Sequence, residues 1–223
     1  MSKLFIVATP IGNLEDMTYR AISVLKEVDL ILAEDTRHTK ILLNHYKIET
    51  PTVSYHQHTK VTKLDKFISL LREEQDLALV SDAGTPGISD PGQYLISQIL
   101  KELPETEIIP IPGPSAVIAA LSVSGFNTDQ FVFLGFLPKK KGRQTLFNGL
   151  KEEKRTIVFY ESPHRIRKTL SELADYLGSD RKVVVLREAT KKFEEILRGG
   201  LLELSSQVKE KGEFAVVVEG SKK

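Results

Sequence analysis

Two hydrophobic periodicities alternate along the first half of the chain. "KLFIVAT" (3–9) is a short apolar run, whereas "MTYRAISVLKEV" (17–28) places Ala21, Ile22, Leu25 and Val28 at helical spacing. The pairing recurs in "DLILAED" (29–35) with "TRHTKILLNHYKI" (36–48), and in the β-rich "TVSYH" (52–56) with "VTKLDKFISLLREEQ" (61–75). It recurs again in "DLALVSD" (76–82) with "QYLISQILKEL" (93–103), before a closing strand "EIIPIP" (107–112). Strands separated by helices predict an α/β fold with a mostly parallel sheet covered on both faces.

The pattern changes at "IPGPSAVIAALSVSGF" (111–126), where Pro114 precedes a helix of small apolar residues. Beyond it, "QFVFLGF", "RTIVFYES", "KVVVLREAT", "FEEILRGG" and "EFAVVVEG" read as strands, with helices around 143–153, 163–177 and 201–209. Strands outnumber helices here, so a mixed sheet is expected. The chain is therefore read as two α/β domains, 1–112 and 113–223, with no internal repeat.

Composition adds exclusions. The 223 residues include no cysteine, which rules out disulfides and thiol chemistry and fits a reducing compartment. The N-terminal apolar run stops at Pro10, unlike a signal peptide, and no uncharged apolar stretch approaches the ~20 residues of a membrane span. A cytoplasmic protein without a membrane partner is expected. The net charge of +1 argues against a generally basic coat. Charge is nevertheless clustered, with Lys139, Lys140, Lys141 and Arg143 in "PKKKGR" and Arg165, Arg167 and Lys168 in "ESPHRIRK". Such runs are more often solvated faces than binding sites.

Ligands of parallel α/β sheets lie beyond the carboxyl ends of the strands. Those ends are "ATPIGN" (8–13), "AEDTR" (33–37), "SYHQH" (54–58), "SDAGTPG" (81–87) and "IPGPSA" (111–116), each polar or rich in Gly and Pro. "SDAGTPGISDPG" (81–92) carries three glycines, costly residues to order, so a tight turn or a ligand against bare backbone is implied. No GxGxxG follows the first strand, and GxxxxGK[ST] and GxSxG are absent, so dinucleotide, P-loop and serine-hydrolase chemistry find no support. His56 and His58 would share a strand face, but a zinc site lacks an obvious third ligand, and no metal is expected. Glu34, Asp35, Arg37, His56 and His58 are the candidates for acid–base work on this rim. Helix capping, or an ion pair with Arg37, is the structural alternative for Glu34 and Asp35. His38, His45 and His164 read as surface or packing residues.

"LFIVATPIGNLEDMTYRA", "AEDTRHT", "SYHQH", "LVSDAGTPGISDPG" and "IPGPSA" together resemble the tetrapyrrole-methylase superfamily, and most closely its ribosomal-RNA branch. "FYESPHRI", "REATKKFEE" and "GEFAVVVEG" extend the resemblance from about residue 4 to 220. It implies a two-domain class III methyltransferase holding S-adenosylmethionine in a cleft between its domains. The implied reaction is 2′-O-methylation of a cytidine ribose in the decoding region of small-subunit ribosomal RNA, free or within the assembled 30S subunit. The family is commonly dimeric, so a homodimer is expected. Longer members continue into a further helical segment, so RNA affinity here is expected to come from other surfaces.

Carried over by the resemblance, the cofactor contacts are Pro10, Ile11, Gly12, Asp82, Ala83, Gly84, Thr85, Pro86, Ser115 and Ala116, with Tyr160, Glu188, Ala189 and Val218 from the second domain. Lys139, Lys140, Lys141, Arg143 and Arg165 are the candidate RNA contacts. Two other functions compete: a small-molecule (precorrin-type) tetrapyrrole methylase, and a nucleotide-binding module without turnover.

Overall fold

The structure is a computed structural model describing residues 2–55 and 61–222, with backbone alone for 61–63. The chain divides into two compact units, Met1–Ser115 and Ala116–Lys223.

In the first unit the elements alternate as β1 (Lys3–Val7), α1 (Tyr19–Glu27), β2 (Leu30–Ala33), α2 (Thr36–His45), β3 (Thr52–Ser54), α3 (Val61–Arg72), β4 (Leu77–Val80), α4 (Gly92–Glu102) and β5 (Glu107–Ile111). The sheet order is β3-β2-β4-β1-β5, and every pairing is parallel. The expected parallel sheet is what forms. Leu4, Leu32, Leu77 and Leu79 pack on one face with Phe67, Leu71, Leu95 and Ile99 of α3 and α4. Val7, Ile31, Ala33, Ala78 and Val80 pack on the other with Ala21, Leu25, Leu42 and Leu43 of α1 and α2. Burial on both faces explains why these strands are continuous apolar runs. Pro110, which has no ladder donor, is confined to the edge strand β5.

The second unit contains α5 (Ala116–Ser122), β6 (Phe131–Phe136), α6 (Arg143–Gly149), β7 (Thr156–Glu161), α7 (Ile166–Leu177), β8 (Lys182–Arg187), β9 (Glu195–Gly200), α8 (Leu201–Gln207) and β10 (Phe214–Val218). Its sheet order is β6-β7-β10-β8-β9, with β6 and β7 parallel and the remaining pairs antiparallel, so it is mixed as expected. One face meets Phe147, Ile166, Leu170, Leu173, Leu201 and Leu204 of α6, α7 and α8. The other is covered by Val117, Ala120 and Leu121 of α5. No helix among the described residues is long and apolar enough to cross a membrane.

Candidate active site

The rim at the carboxyl ends of β1 and β4 is braced by main-chain pairing. Thr9 N–H donates to the Gly84 carbonyl at 2.9 Å, and Gly84 N–H returns a bond to the Thr9 carbonyl at 3.0 Å. The buried Thr9 hydroxyl donates to the Ser81 carbonyl at 3.1 Å, and Thr85 Oγ1 donates to the Pro114 carbonyl at 3.3 Å. The loops after β1, β4 and β5 are therefore tied together within this unit. Thr9 and Ser81 were missed in the sequence. Their signal was position, one small hydroxyl residue just past each of two neighbouring strands.

The glycines of "SDAGTPGISDPG" are explained by the fold itself. Gly84 has φ +81°, a left-handed conformation that β-carbons disfavour. Gly92 opens α4, and a Cβ there would stand 2.8 Å from Gly87 N. Asp90 Oδ1 fastens this close approach, accepting from Gly87 N at 2.6 Å and Gly92 N at 2.8 Å. Of the two readings of this stretch, a tight turn and a ligand against bare backbone, the turn by itself already requires Gly84 and Gly92. Within the stretch Ala83, Ile88 and Ser89 are exposed, as are Gly12, Pro112 and Gly113 on neighbouring loops.

Asp82 and Asp35 are joined across the ends of β4 and β2. Asp82 Oδ1 accepts the Asp35 backbone N–H at 3.0 Å, and Oδ2 takes no hydrogen bond from the described residues. Asp35 in turn caps α2, its Oδ1 accepting from Arg37 N at 2.8 Å. Arg37 Nε and Nη2 also donate to the two Asp35 oxygens, at 3.1 and 2.7 Å. The guanidinium beside it holds the Asp35 carboxyl far below the usual carboxylate range. A carboxylate so stabilised is a weak proton acceptor. Asp35 thus caps a helix and orients Arg37, whose side chain is 91% exposed, as the structural alternative describes. Glu34 lies half-buried at the same turn. His56 and His58 lie outside the described residues. Tyr55, just before them, is buried against the Phe67 ring.

The second-unit candidates divide. Tyr160 is half-buried on the α5 face of the sheet, its hydroxyl pushed up by burial. Val218 is fully buried in the core beneath α6, α7 and α8, where its side chain packs. Glu188 adopts φ +52°, and its Oε1 accepts from Glu213 N at 2.9 Å and Lys191 Nζ at 3.1 Å. Burial pushes this carboxyl up, but those partners outweigh it and it lies below the usual range. The Glu188 side chain thus braces this turn internally, with Ala189 half-buried beside it.

The basic cluster also divides. Lys139, Lys140 and Lys141 are exposed. Arg143 instead donates to Glu172 Oε2 at 2.7 Å, Thr169 Oγ1 at 2.8 Å and the Pro138 carbonyl at 3.0 Å. Arg165 donates to both oxygens of the fully buried Glu161, at 2.7 and 2.8 Å, and to the Leu137 carbonyl at 2.9 Å. These half-buried arginines support from within the loop that bears the lysines.

Two α/β units, the first with a braced rim of polar loops, are the architecture of a class of methyltransferases. The fold matches a crystal structure of uroporphyrin-III-C-methyltransferase from Thermus thermophilus with a TM-score of 0.69 and 17% identity, covering 97% of this chain and 94% of that one. Residues 3–205 match the sequence model of the Tetrapyrrole (Corrin/Porphyrin) Methylases. The chain belongs to the tetrapyrrole methylase family, whose methyltransferases use S-adenosylmethionine. Among its relatives, the ribosomal RNA small subunit methyltransferase I of Synechocystis sp. is 50% identical, over 99% of this chain and 80% of the relative. The protein of the same name from Thermotoga maritima is 48% identical, over 99% of both chains.

Proposed function

We propose that this protein transfers a methyl group from S-adenosylmethionine to the 2′-hydroxyl of a cytidine ribose in the decoding region of small-subunit ribosomal RNA. The observation that carries the reading is the near-half identity, over almost the whole chain, to relatives named for action on that RNA. The macrocycle methylase shares the fold at only 17% identity, which supports the fold alone.

The first-unit rim suits the cofactor. Asp82 keeps one oxygen for the protein and offers Oδ2 to an ammonium or to ribose hydroxyls. Pro10, Ile11, Gly12, Ala83, Gly84, Thr85, Pro86 and Ser115 line the loops that would hold it, and the Thr9–Gly84 pairing keeps those loops in register. In the reaction an oxygen–carbon bond forms as a sulfur–carbon bond breaks, and the hydroxyl proton leaves. The protein's work is chiefly to align donor and acceptor. Arg37, aimed by Asp35, is suited to the developing negative charge on oxygen. The proton acceptor is then Glu34, His56 or His58. Lys139, Lys140 and Lys141 supply phosphate contacts.

The assembled 30S subunit as substrate, a homodimer as the working form and a cytoplasmic location rest on the family resemblance. Transfer of a labelled methyl group to small subunits lacking the modification tests the function. Transfer to a uroporphyrinogen-type macrocycle instead would favour the small-molecule reading. Tight cofactor binding without transfer to either would favour the non-catalytic module.

A further inference from the structure

The edge strand β6 contains an irregularity that turns an aromatic side chain outward. Phe133 pairs with Val158 of β7, but the next register pair is Phe136 with Tyr160, so three residues on β6 span two on β7. Gly135, with φ +59°, absorbs the extra residue. Side chains three apart on a regular strand point to opposite faces, and a bulge of this kind restores them to one face. Both rings accordingly reach Tyr160: Phe133 lies edge-on at 5.1 Å between centroids and Phe136 tilted at 5.6 Å. Phe133 is half-buried, whereas Phe136 is 60% exposed.

The chain then runs directly into Lys139, Lys140 and Lys141. Arg165 holds the carbonyl of Leu137 and Arg143 that of Pro138, so the link between ring and lysines is fixed from beneath. Both arginines are anchored in turn. Glu161 accepts from Ser162 N, from Arg165 and from the Thr169 hydroxyl, and Thr169 Oγ1 accepts from Arg143. A large aromatic left in water costs free energy, and a buried polar network beneath it keeps it there. An exposed ring supported by a second ring, followed by a pinned run of cations, is the arrangement that single-stranded nucleic acid recognises: a π-face for a base and charge for the adjoining phosphates.

We infer that Phe136 is a stacking platform for an unpaired base of the substrate RNA, next to the phosphates held by Lys139, Lys140 and Lys141. The inference rests on the RNA reading of the function above and adds a base contact that the lysines cannot supply. It also assigns the β6 bulge a purpose, since a regular strand would carry Phe136 to the opposite face from Phe133.

The chain contains no tryptophan, so Phe136→Trp introduces a single fluorescent reporter at this position. Titration of that variant with small ribosomal subunits lacking the modification should quench its fluorescence, saturating at the affinity found for methyl transfer. Phe136→Ala should weaken subunit binding about tenfold, Phe136→Tyr should retain it, and S-adenosylmethionine affinity should stay within about twofold in all three. Unchanged subunit binding by Phe136→Ala, or a tryptophan that subunits do not quench, would overturn the inference. Loss of cofactor affinity would overturn it in favour of a role through Tyr160. A shift in oligomeric state on Phe136→Ala would overturn it in favour of a subunit interface. If the wild-type protein neither binds nor methylates subunits, the functional reading itself fails, and this is seen before any variant is made.

Discussion

The carboxylate of Asp82 accepts the backbone N–H of Asp35 at 3.0 Å, joining the loops that follow β4 and β2. One oxygen of Asp82 is structural and the other takes no hydrogen bond from the described residues, so its two roles separate by substitution. Asp82→Asn keeps an acceptor for Asp35 N–H while removing the charge. It should fold with near wild-type stability yet bind S-adenosylmethionine more weakly by about 1.5–3 kcal/mol. Asp82→Ala should lose the cofactor equally and about 1 kcal/mol of stability besides. Calorimetry and chemical denaturation of the pair distinguish these effects, and wild-type cofactor affinity in both would remove Asp82 from the site.

Asp35 and Arg37 form the next link. Asp35→Asn preserves the helix cap and the shape of the side chain but not the ion pair with Arg37. Because Asp35 is an orienting group in this account, Asp35→Asn and Arg37→Ala should slow single-turnover transfer alike, and the double variant should be no slower than either alone. A pH–rate profile whose acidic limb vanishes only in Asp35→Asn would return Asp35 to the role of base.

Gly92 gives a prediction of sign. A glycine-to-alanine change within a helix ordinarily stabilises by about 0.5–1 kcal/mol. Here the new Cβ would meet Gly87 N at 2.8 Å and Leu79 Cδ2 at 3.1 Å. Gly92→Ala should therefore destabilise by about 1–3 kcal/mol. A raised unfolding midpoint would mean that Gly87 and Gly92 are not in close contact.

The arginines beneath the lysine loop should behave unlike the lysines. Arg165→Ala leaves Glu161 buried without its cation and should cost about 3–5 kcal/mol of stability. Neutralising Lys139, Lys140 and Lys141 should leave stability nearly unchanged while reducing both the strength and the salt dependence of RNA binding. An unaltered salt slope would make the lysines a solvated loop only.

A pH effect follows from Glu153. Hydrogen bonds from the Arg155 side chain and backbone hold its carboxyl down to about 2. The Glu153 carbonyl also accepts Ser221 N at 2.6 Å, tying the C-terminal segment to this loop. A folded-state value below that of the unfolded chain, roughly 4.3, means that the contribution is present above that pH and lost as pH falls towards 2. Thermal unfolding of wild type and Glu153→Gln should differ near neutrality and converge near pH 2. A constant gap would show that the ion pair is not responsible.

Much of this architecture is legible in the sequence because burial imposes it. β1, β2 and β4 are covered on both faces and so read as unbroken apolar runs, and the helices between them repeat at their own period. The polar, glycine-rich character of the rim is equally plain in "SDAGTPGISDPG", although which glycines the turn itself requires is not. What a linear reading misses is the direction of side chains. Arg143 and Arg165 look like surface charge until Glu172 and Glu161 are seen beneath them. Val218 ends β10 just before a polar segment, but its side chain is buried in the core. α7 begins at Ile166, three residues beyond the boundary suggested by Pro163, because the Ser162 carbonyl first closes a turn with Arg165 and Ile166. The bulge at Gly135 has no signature beyond the glycine itself, so the placement of Phe136 emerges only from pairing.

The most direct test of the account is the identity of the nucleoside that acquires the methyl group. Small subunits lacking the modification would be incubated with the protein and S-adenosylmethionine carrying a labelled methyl, and the RNA digested completely to nucleosides for mass spectrometry. The account predicts label in 2′-O-methylcytidine alone, derived from a decoding-region fragment, and reduced at limiting S-adenosylmethionine when Asp82→Ala replaces the wild type. Label on a base carbon or nitrogen, or on a ribose outside small-subunit RNA, would contradict it.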